Sequence, residues 1–374
     1  MSRPGVGPIP ARIMLVGEAY GESEEHAGEP FVGPSGQELN RMLHEAGIMR
    51  SECYVTNLVN ARPPNNDLTA WIPIRKRDIT PAHVPLLDKR VLPIVKAGYD
   101  SLLVEIAAVQ PAVIVAFGNS AMWALTQKWA ITKWRGSILS HDPYTYKRYE
   151  MPGSINTPEI DAALKRSMER LNPIIVIPTY HPAAILRQWD WRNITVQDLR
   201  RAAKILHGEL PVKPEWNFRL RPSFHQVNEI LAELMRRVQQ SDNEVWLDFD
   251  LETKLGHIDC AGISWSKVDA LCIPFMSKTD PAGYWMADEE ANIVYWIMKL
   301  LTHPNVRVRG QNLLYDCQYT YRHWHFVPRV TQDTMISQHT CFSGMRKSLD
   351  FQASLYCDYY IQWKPDKTAW KEGG

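Results

Sequence analysis

Two sets of residues in this chain have the types and spacing for chemistry. The first begins in residues 12–36, RIMLVGEAYGESEEHAGEPFVGPSG. An apolar run, Ile13, Met14, Leu15 and Val16, stops at Gly17 and is followed by Glu18, Ala19, Tyr20 and Gly21. A buried strand ending in a Gly-rich turn delivers side chains to its carboxyl end, where open α/β sheets bind ligands. Phe31 lies in a second turn, between Pro30 and Gly33. Asn57 sits in an apolar stretch, residues 54–64, and His181 precedes Pro182 in residues 177–187. Together they offer a carboxylate, a flat apolar face, an amide that both donates and accepts, and an imidazole. Singly, each has an ordinary structural use. Phe31 fits a core, Asn57 a strand end, His181 a turn and Glu18 a solvated loop.

The second set is Asp248-Phe249-Asp250-Leu251-Glu252-Thr253. Strand alternation places Asp250 and Glu252 on one side, and two like charges so close call for a divalent cation. A third carboxylate, Asp316, follows Asn312 by four residues.

The elements that must hold these groups read as follows. Apolar runs at 13–16, 54–59, 112–117 and 174–177 are four strands with helical patterns between them, which argues for a mainly parallel sheet covered by helices. Ser35 and Glu38 have capping-box spacing for the helix after the Phe31 turn. Residues 136–160 look irregular. Residues 208–222 are Pro-rich, break every period and read as a linker. Beyond it, Ser223 and Gln226 cap a helix with an apolar face of Val227, Ile230, Leu231, Leu234 and Met235. Strands at 245–249, 261–265 and 270–275 precede a helix at 288–301, a short strand at 306–309 and a helix after Asn312. Strands first and a covering helix later give a mixed sheet. The expected fold class is thus α/β throughout, with domains at 1–207 and 223–374.

Length and composition agree. At 374 residues, two domains are the natural expectation, and 45% hydrophobic with 22% charged residues is globular. A formal net charge of +1 leaves any nucleic-acid contact to local basic patches. Such patches occur at 186–192, Leu-Arg-Gln-Trp-Asp-Trp-Arg, and at Lys133-Trp134-Arg135. Interleaved cations and aromatics suit phosphate contact plus stacking, and equally a solvated helix face with buried Trp. Six scattered cysteines without a CxxC read as reduced thiols of a cytosolic protein. No run is long enough to span a bilayer and no signal peptide is read, so the expected location is cytoplasmic, in a host cell if the chain is phage-encoded.

The stretches around Gly17, Asn57 and His181 resemble, in the same order, the three signature blocks of the family-four uracil-DNA glycosylases. The resemblance covers roughly residues 10–205 and implies an αβα sandwich that excises uracil from DNA. By motif position, Phe31 stacks on uracil, Asn57 bonds its edge, His181 stabilises charge on the departing base, Glu18 orients water or steadies the cationic sugar, and Gly17 lets the backbone approach. Tyr20 stands where the family usually has Pro, a bulk that bears on base selectivity. Many family members hold an iron–sulfur cluster on four cysteines. Ala61 stands where one ligand would fall, so no cluster is expected, as in glycosylase-like domains fused to bacteriophage DNA polymerases. Arg135, Arg187 and Trp189 are the expected DNA contacts.

The second set resembles the first two motifs of the ribonuclease-H-like 3′–5′ proofreading exonucleases of family A DNA polymerases. That resemblance implies Mg2+ or Mn2+ held by Asp250, Glu252 and Asp316. The family's third motif, a Tyr followed four positions on by Asp, is absent, and Asp358 and Asp366 are poor substitutes. The exonuclease is therefore expected to be incomplete, with one sheet face uncovered and apolar. The implied partners are single-stranded or primer-template DNA and a polymerase domain on this or another chain. The alternative is a non-catalytic module that binds uracil or template strand for a polymerase.

Overall fold

The computed structural model describes residues 5–141, 174–280 and 283–363. Two compact units emerge: Met1–Val212 with Ala353–Gly374, and Lys213–Gln352. The chain thus leaves the first unit within the stretch read as a linker, and it is grouped with the first unit again from Ala353.

In the first unit, β1 (Ile13–Ala19), β2 (Cys53–Val59), β5 (Val113–Phe117), β6 (Leu139–His141) and β7 (Ile174–Thr179) form one sheet in the order β2-β1-β5-β7-β6. A separate hairpin pairs β3 (Val84–Leu86) with β4 (Lys89–Val91). The four strands expected from apolar runs are β1, β2, β5 and β7, and they pair in parallel. The short β6 is the antiparallel edge. It occupies part of the stretch read as irregular, while residues 142–160 of that stretch lie outside the described residues. All residues of β2 and β5 are buried, as parallel strands covered on both faces must be. Because β1 pairs with β2 on one side and β5 on the other, consecutive crossovers leave in opposite directions. That opens a crevice at the carboxyl ends of β1 and β5.

Helix α1 (Glu22–Ala27) and helix α2 (Pro34–Glu45) follow β1, and α3 (Pro93–Val109) and α4 (Gly118–Thr126) flank β5. The expected Ser35–Glu38 capping box does not form. Pro34, with φ already helical, begins α2 and makes Gly33 the N-cap, which puts Ser35 inside the helix. Glu38 is buried instead and accepts from Arg192 Nε at 2.7 Å and Arg41 Nη1 at 3.2 Å.

In the second unit, β8 (Asn217–Leu220), β9 (Val245–Lys254), β10 (His257–Ser264), β11 (Asp269–Pro274), β12 (Val306–Gly310) and β13 (Val330–Asp333) form a sheet in the order β13-β12-β9-β10-β11-β8. The strands β9, β10 and β11 are antiparallel neighbours, while β12 and β13 run parallel to β9. Strands of the unit's core therefore lie third, second, first, fourth, fifth, which is the ribonuclease-H-like arrangement. Two strands of this sheet, β8 and β13, were missed. β8 lies in the supposed linker, where Phe218 and Leu220 alternate with Asn217 and Arg219 among prolines, and it is exposed along its length and held by backbone pairing to β11. The Ser223–Gln226 capping box does form. Val227, Leu231 and Leu234 of that helix pack with Leu247, Phe249 and Leu251 of β9. The alternate β9 residues, Trp246, Asp248, Asp250 and Glu252, face the other side. That face is polar rather than apolar as expected: Asp248 is paired with Arg309 at 2.5 and 3.0 Å.

Candidate functional site

The first set of residues converges at the carboxyl ends of β1, β2, β5 and β7. Asn57 lies opposite Gly17 in the parallel register of β1 and β2. Its Nδ2 donates to Asn60 Oδ1 at 3.4 Å, and its Oδ1 lies over the Gly17 Cα. A Cβ at Gly17 would run into that Oδ1 and come within 2.5 Å of Phe31 Cζ, so only glycine permits this approach. Asn is a poor strand former, and one buried in a β-strand is held there by something other than propensity. Phe31 adopts a left-handed φ of 56°, a conformation a bulky residue enters only under constraint. Its ring stacks on His181 at 5.5 Å and 27°, and meets Phe117 edge-on at 5.9 Å.

Glu18 reaches across to α4, where its Oε1 accepts the backbone N–H of Ser120 at 2.9 Å. Gly118, with φ of 89°, keeps that passage open, since a Cβ there would lie 2.7 Å from the Glu18 carboxyl carbon. His181 is the N-cap of a short helix, Pro182–Ile185, and its Nδ1 accepts the N–H of Ala183 at 3.2 Å. The tautomer follows: the proton sits on Nε2. That Nε2 is buried without a hydrogen-bond partner. Burial pushes the His181 pKa down, against the opposing pull of Glu18 and Glu24, so the ring is a neutral donor.

Glu24 is buried, and it accepts the N–H of Gly33 at 3.0 Å, tying α1 to the turn that carries Phe31. The signal was position: Glu24 faces inward on α1, while Glu22 and Glu25 are exposed. Tyr20 is buried and donates its hydroxyl to the Gly28 carbonyl at 3.2 Å.

Beyond His181 the chain forms a loop with pinned ends. Tyr180 and Trp191 stack at 4.3 Å and 16°, and Arg192 is clamped by Glu38 and Glu45. Between them Leu186, Arg187 and Trp189 are exposed, with the Arg192 guanidinium 5.2 Å from the Trp189 ring. Arg135 is not part of this surface, which corrects its reading as a DNA contact. It is buried, with Nε and Nη2 on Asp198 at 3.0 and 2.5 Å and Nη1 on Ser354 Oγ at 2.8 Å. Asp198 also accepts from Thr179 at the end of β7, so the pair braces the strand that carries His181.

A four-cysteine cluster does not fit the residues of the first unit. They hold only Cys53 and Cys357, and burial raises the pKa of both thiols, that of Cys53 to about 12.

The second set is less assembled. Asp250 and Glu252 are exposed on the polar side of β9. Asp316 is buried on the Leu313–Trp324 helix, and its Oδ1 accepts the Leu251 N–H at 2.7 Å. Burial, with Asp250 and Asp333 as like charges nearby, pushes its pKa up to about 6. Asp333 is committed elsewhere, accepting four backbone N–H groups at two helix starts. Among the described residues no three His, Cys, Asp or Glu side chains form a set able to hold a metal ion. The expected trio of Asp250, Glu252 and Asp316 is thus not drawn into one set in this arrangement. Asp358 is exposed in the first unit, its Oδ1 3.5 Å from Lys204 Nζ, and Asp366 lies outside the described residues.

A parallel α/β sheet with an aromatic ring, an amide, a carboxylate and a neutral imidazole at its switch point has the chemistry to take a flat polar ring. Similarity to known proteins gives the family. The family described as the uracil DNA glycosylase superfamily matches residues 4–203, and the chain belongs to that superfamily. The type-4 uracil-DNA glycosylase of Saccharolobus solfataricus is 31% identical over 212 residues, covering 55% of this chain and 76% of that protein. The type-4 uracil-DNA glycosylase of Thermotoga maritima is 31% identical over 209 residues, covering 55% and 83%. This chain is accordingly an enzyme, a hydrolase of the glycosylase class. A DNA polymerase of Bacillus phage SP01 is 27% identical over 208 residues, 55% of this chain but 17% of the polymerase. Among solved structures, the catalytic core of RRP6 from Trypanosoma brucei gives a TM-score of 0.30 at 12% identity, covering 41% of this chain and 40% of that one. RNase D of Escherichia coli gives 0.28 at 12%, covering 41% and 36%. Likenesses that low carry no weight, and the chain spans less than half of either structure. No described helix is long and apolar enough to cross a membrane.

Proposed function

We propose that the first unit excises uracil from DNA. The observation that carries this reading is the His181 imidazole: neutral, fixed in tautomer by Ala183, stacked on Phe31, with a buried Nε2–H that has no partner. A base drawn out of the stack must be read on its Watson–Crick edge. Asn57 matches the uracil O4 acceptor and N3–H donor. Phe31 supplies the stacking face. As the glycosidic bond breaks, its electron pair passes to the base, and the Nε2–H donates to the uracil oxygen where charge develops. Glu18, held on the Ser120 N–H, keeps a carboxylate oxygen for the attacking water or the cationic sugar. Tyr20 is the candidate wall against the thymine methyl group. Leu186, Arg187 and Trp189 on the pinned loop meet the DNA, the arginine at phosphate and the apolar pair at bases.

For the second unit we propose a ribonuclease-H-like module that takes DNA but is poorly armed as a 3′–5′ exonuclease. The strand order favours that fold, and the Asp316 carboxyl, engaged on Leu251, argues against an efficient cation site. Similarity to a phage DNA polymerase supports a place for the whole chain beside DNA synthesis, with a polymerase domain as partner. The rival reading, a non-catalytic uracil-binding module, is separated by one experiment. Incubated with a uracil-containing single strand in chelator, the protein should generate alkali-labile abasic sites and free uracil. Tight uracil-dependent binding without abasic sites would favour the rival.

A further inference from the structure

An asparagine that reads a base has two edges to offer, and they suit different bases. With Nδ2 toward the exocyclic group and Oδ1 toward N3, the Asn57 amide complements uracil, which presents an acceptor beside a donor. Turned over, it complements cytosine, which presents a donor beside an acceptor. Something must hold the amide one way up.

Behind Asn57 lies a chain of hydrogen bonds with a fixed direction. It starts at Glu105 of α3, a buried carboxyl group on the helix that packs on β2. Hydrogen bonds from the Thr56 and Tyr54 hydroxyls and the Gly5 N–H reach Glu105. Burial pushes its pKa up and these bonds oppose the rise, so the charged acceptor is held by the groups it orients. A carboxylate only accepts, which commits the single hydroxyl hydrogen of Thr56. Thr56 is fully buried, and its Oγ1 is left to accept from Asn60 Nδ2 at 3.1 Å. That turns Asn60 Oδ1 toward Asn57, whose Nδ2 donates to it at 3.4 Å. Each bond sets the sense of the next.

We propose that Glu105, Thr56 and Asn60 form a polarity relay that fixes the Asn57 amide in the sense that takes uracil and refuses cytosine. The proposal rests on the reading of the first unit as a uracil site and deepens it. The three are positioning residues, acting on the base through Asn57. Turning Asn57 over sets its Oδ1 against Asn60 Oδ1. Turning Asn60 over as well sets its Oδ1 against Thr56 Oγ1, whose hydrogen is already spent on Glu105. Cytosine therefore meets either an opposed amide or a broken relay.

The test is binding of short single strands that carry one 2′-fluoro nucleotide with uracil or cytosine as its base. The fluorine withdraws electrons from the sugar and opposes a cationic transition state, so the base is held and not released. The parent protein should favour the uracil strand. Thr56→Val, close in shape but without the hydroxyl, should cut that preference roughly ten- to a hundredfold, with uracil affinity falling and cytosine affinity rising. Thr56→Ser, which keeps the hydroxyl, should keep the preference. Asn60→Ala, at a half-buried position, should repeat the Thr56→Val loss if the valine variant does not fold. Asn60→Asp added to Thr56→Val should bring the preference back, because a carboxylate can only accept from Asn57 Nδ2. Loosened packing would weaken both strands alike. Equal weakening of the two strands, or as large a loss from Thr56→Ser as from Thr56→Val, overturns the relay. A uracil preference that none of these variants moves overturns the relay alone, whereas a parent without that preference overturns the relay and the uracil reading together.

Discussion

The two units bury a titratable group in opposite ways. In the first, His181 spends Nδ1 on a backbone N–H and keeps Nε2–H unspent in a dry position. In the second, Asp316 spends an oxygen on Leu251 N–H and has carboxylates for neighbours, so burial drives it toward the neutral acid. Burial makes a group useful when its last hydrogen-bonding atom is left for a ligand. It makes a group more structural when, as at Asp316, one oxygen is already held by a backbone N–H.

The sharpest way to break this contrast is to delete each group. His181→Ala should slow uracil release roughly 100- to 1,000-fold, the usual loss for one transition-state donor. Asp316→Asn should leave release within about twofold under the same single-turnover conditions. Comparable losses from both would mean the units do not work separately. Gly17→Ala tests whether positioning counts as much as the donor. A Cβ must displace Asn57 or Phe31, and a misplacement of about 1 Å can cost about a hundredfold in rate. The thermal midpoint, read beside the rate, separates misplacement from unfolding.

Acid sharpens the contrast less dramatically. The folded pKa of His181 is lowered from its ordinary value near 6.5. The unfolded ring therefore takes up its proton first. Stability linked to the neutral ring is fully present above about pH 6.5 and is lost as pH falls through the folded pKa. Imidazole resonances of labelled protein should place the His181 midpoint below that of an ordinary imidazole, and excision should show no His181 inflection near 6.5. A midpoint at or above the ordinary value would remove the neutral donor. The smallest effect belongs to Tyr20→Ala. A methyl group is worth about 1–3 kcal/mol, so the variant should gain slight thymine release or lose some uracil release. If neither moves, the Tyr20 ring serves only to anchor Gly28.

The sequence made the parallel sheet legible because buried strands such as β2 and β5 read as unbroken apolar runs. Asn57 and His181 stood out through their places in the motifs that carry the family resemblance. Two kinds of feature stayed hidden. β8 is four residues long and lies among prolines, which masked the alternation of Phe218 and Leu220 with Asn217 and Arg219. Arg135 looked solvated because its neighbours are Lys133 and Trp134, yet its partners Asp198 and Ser354 are 63 and 219 residues away. Long-range pairing leaves no local trace. The two capping-box patterns show the same limit: Ser223 forms its box, while Pro34 starts α2 one residue ahead of Ser35.

The partnership of Arg135 with Ser354 also orders events in time. Ile138 N–H donates to the Tyr360 carbonyl and Gln362 N–H to Ser137 Oγ, so the first unit closes on chain that lies beyond the whole second unit. A ribosome delivers the chain from its amino end. The Arg135–Asp198 pair must therefore wait, short of its third partner, while some 140 residues of the second unit emerge and fold. Chains arrested near Val212 should expose the 135–138 segment to protease, and chains released at full length should protect it.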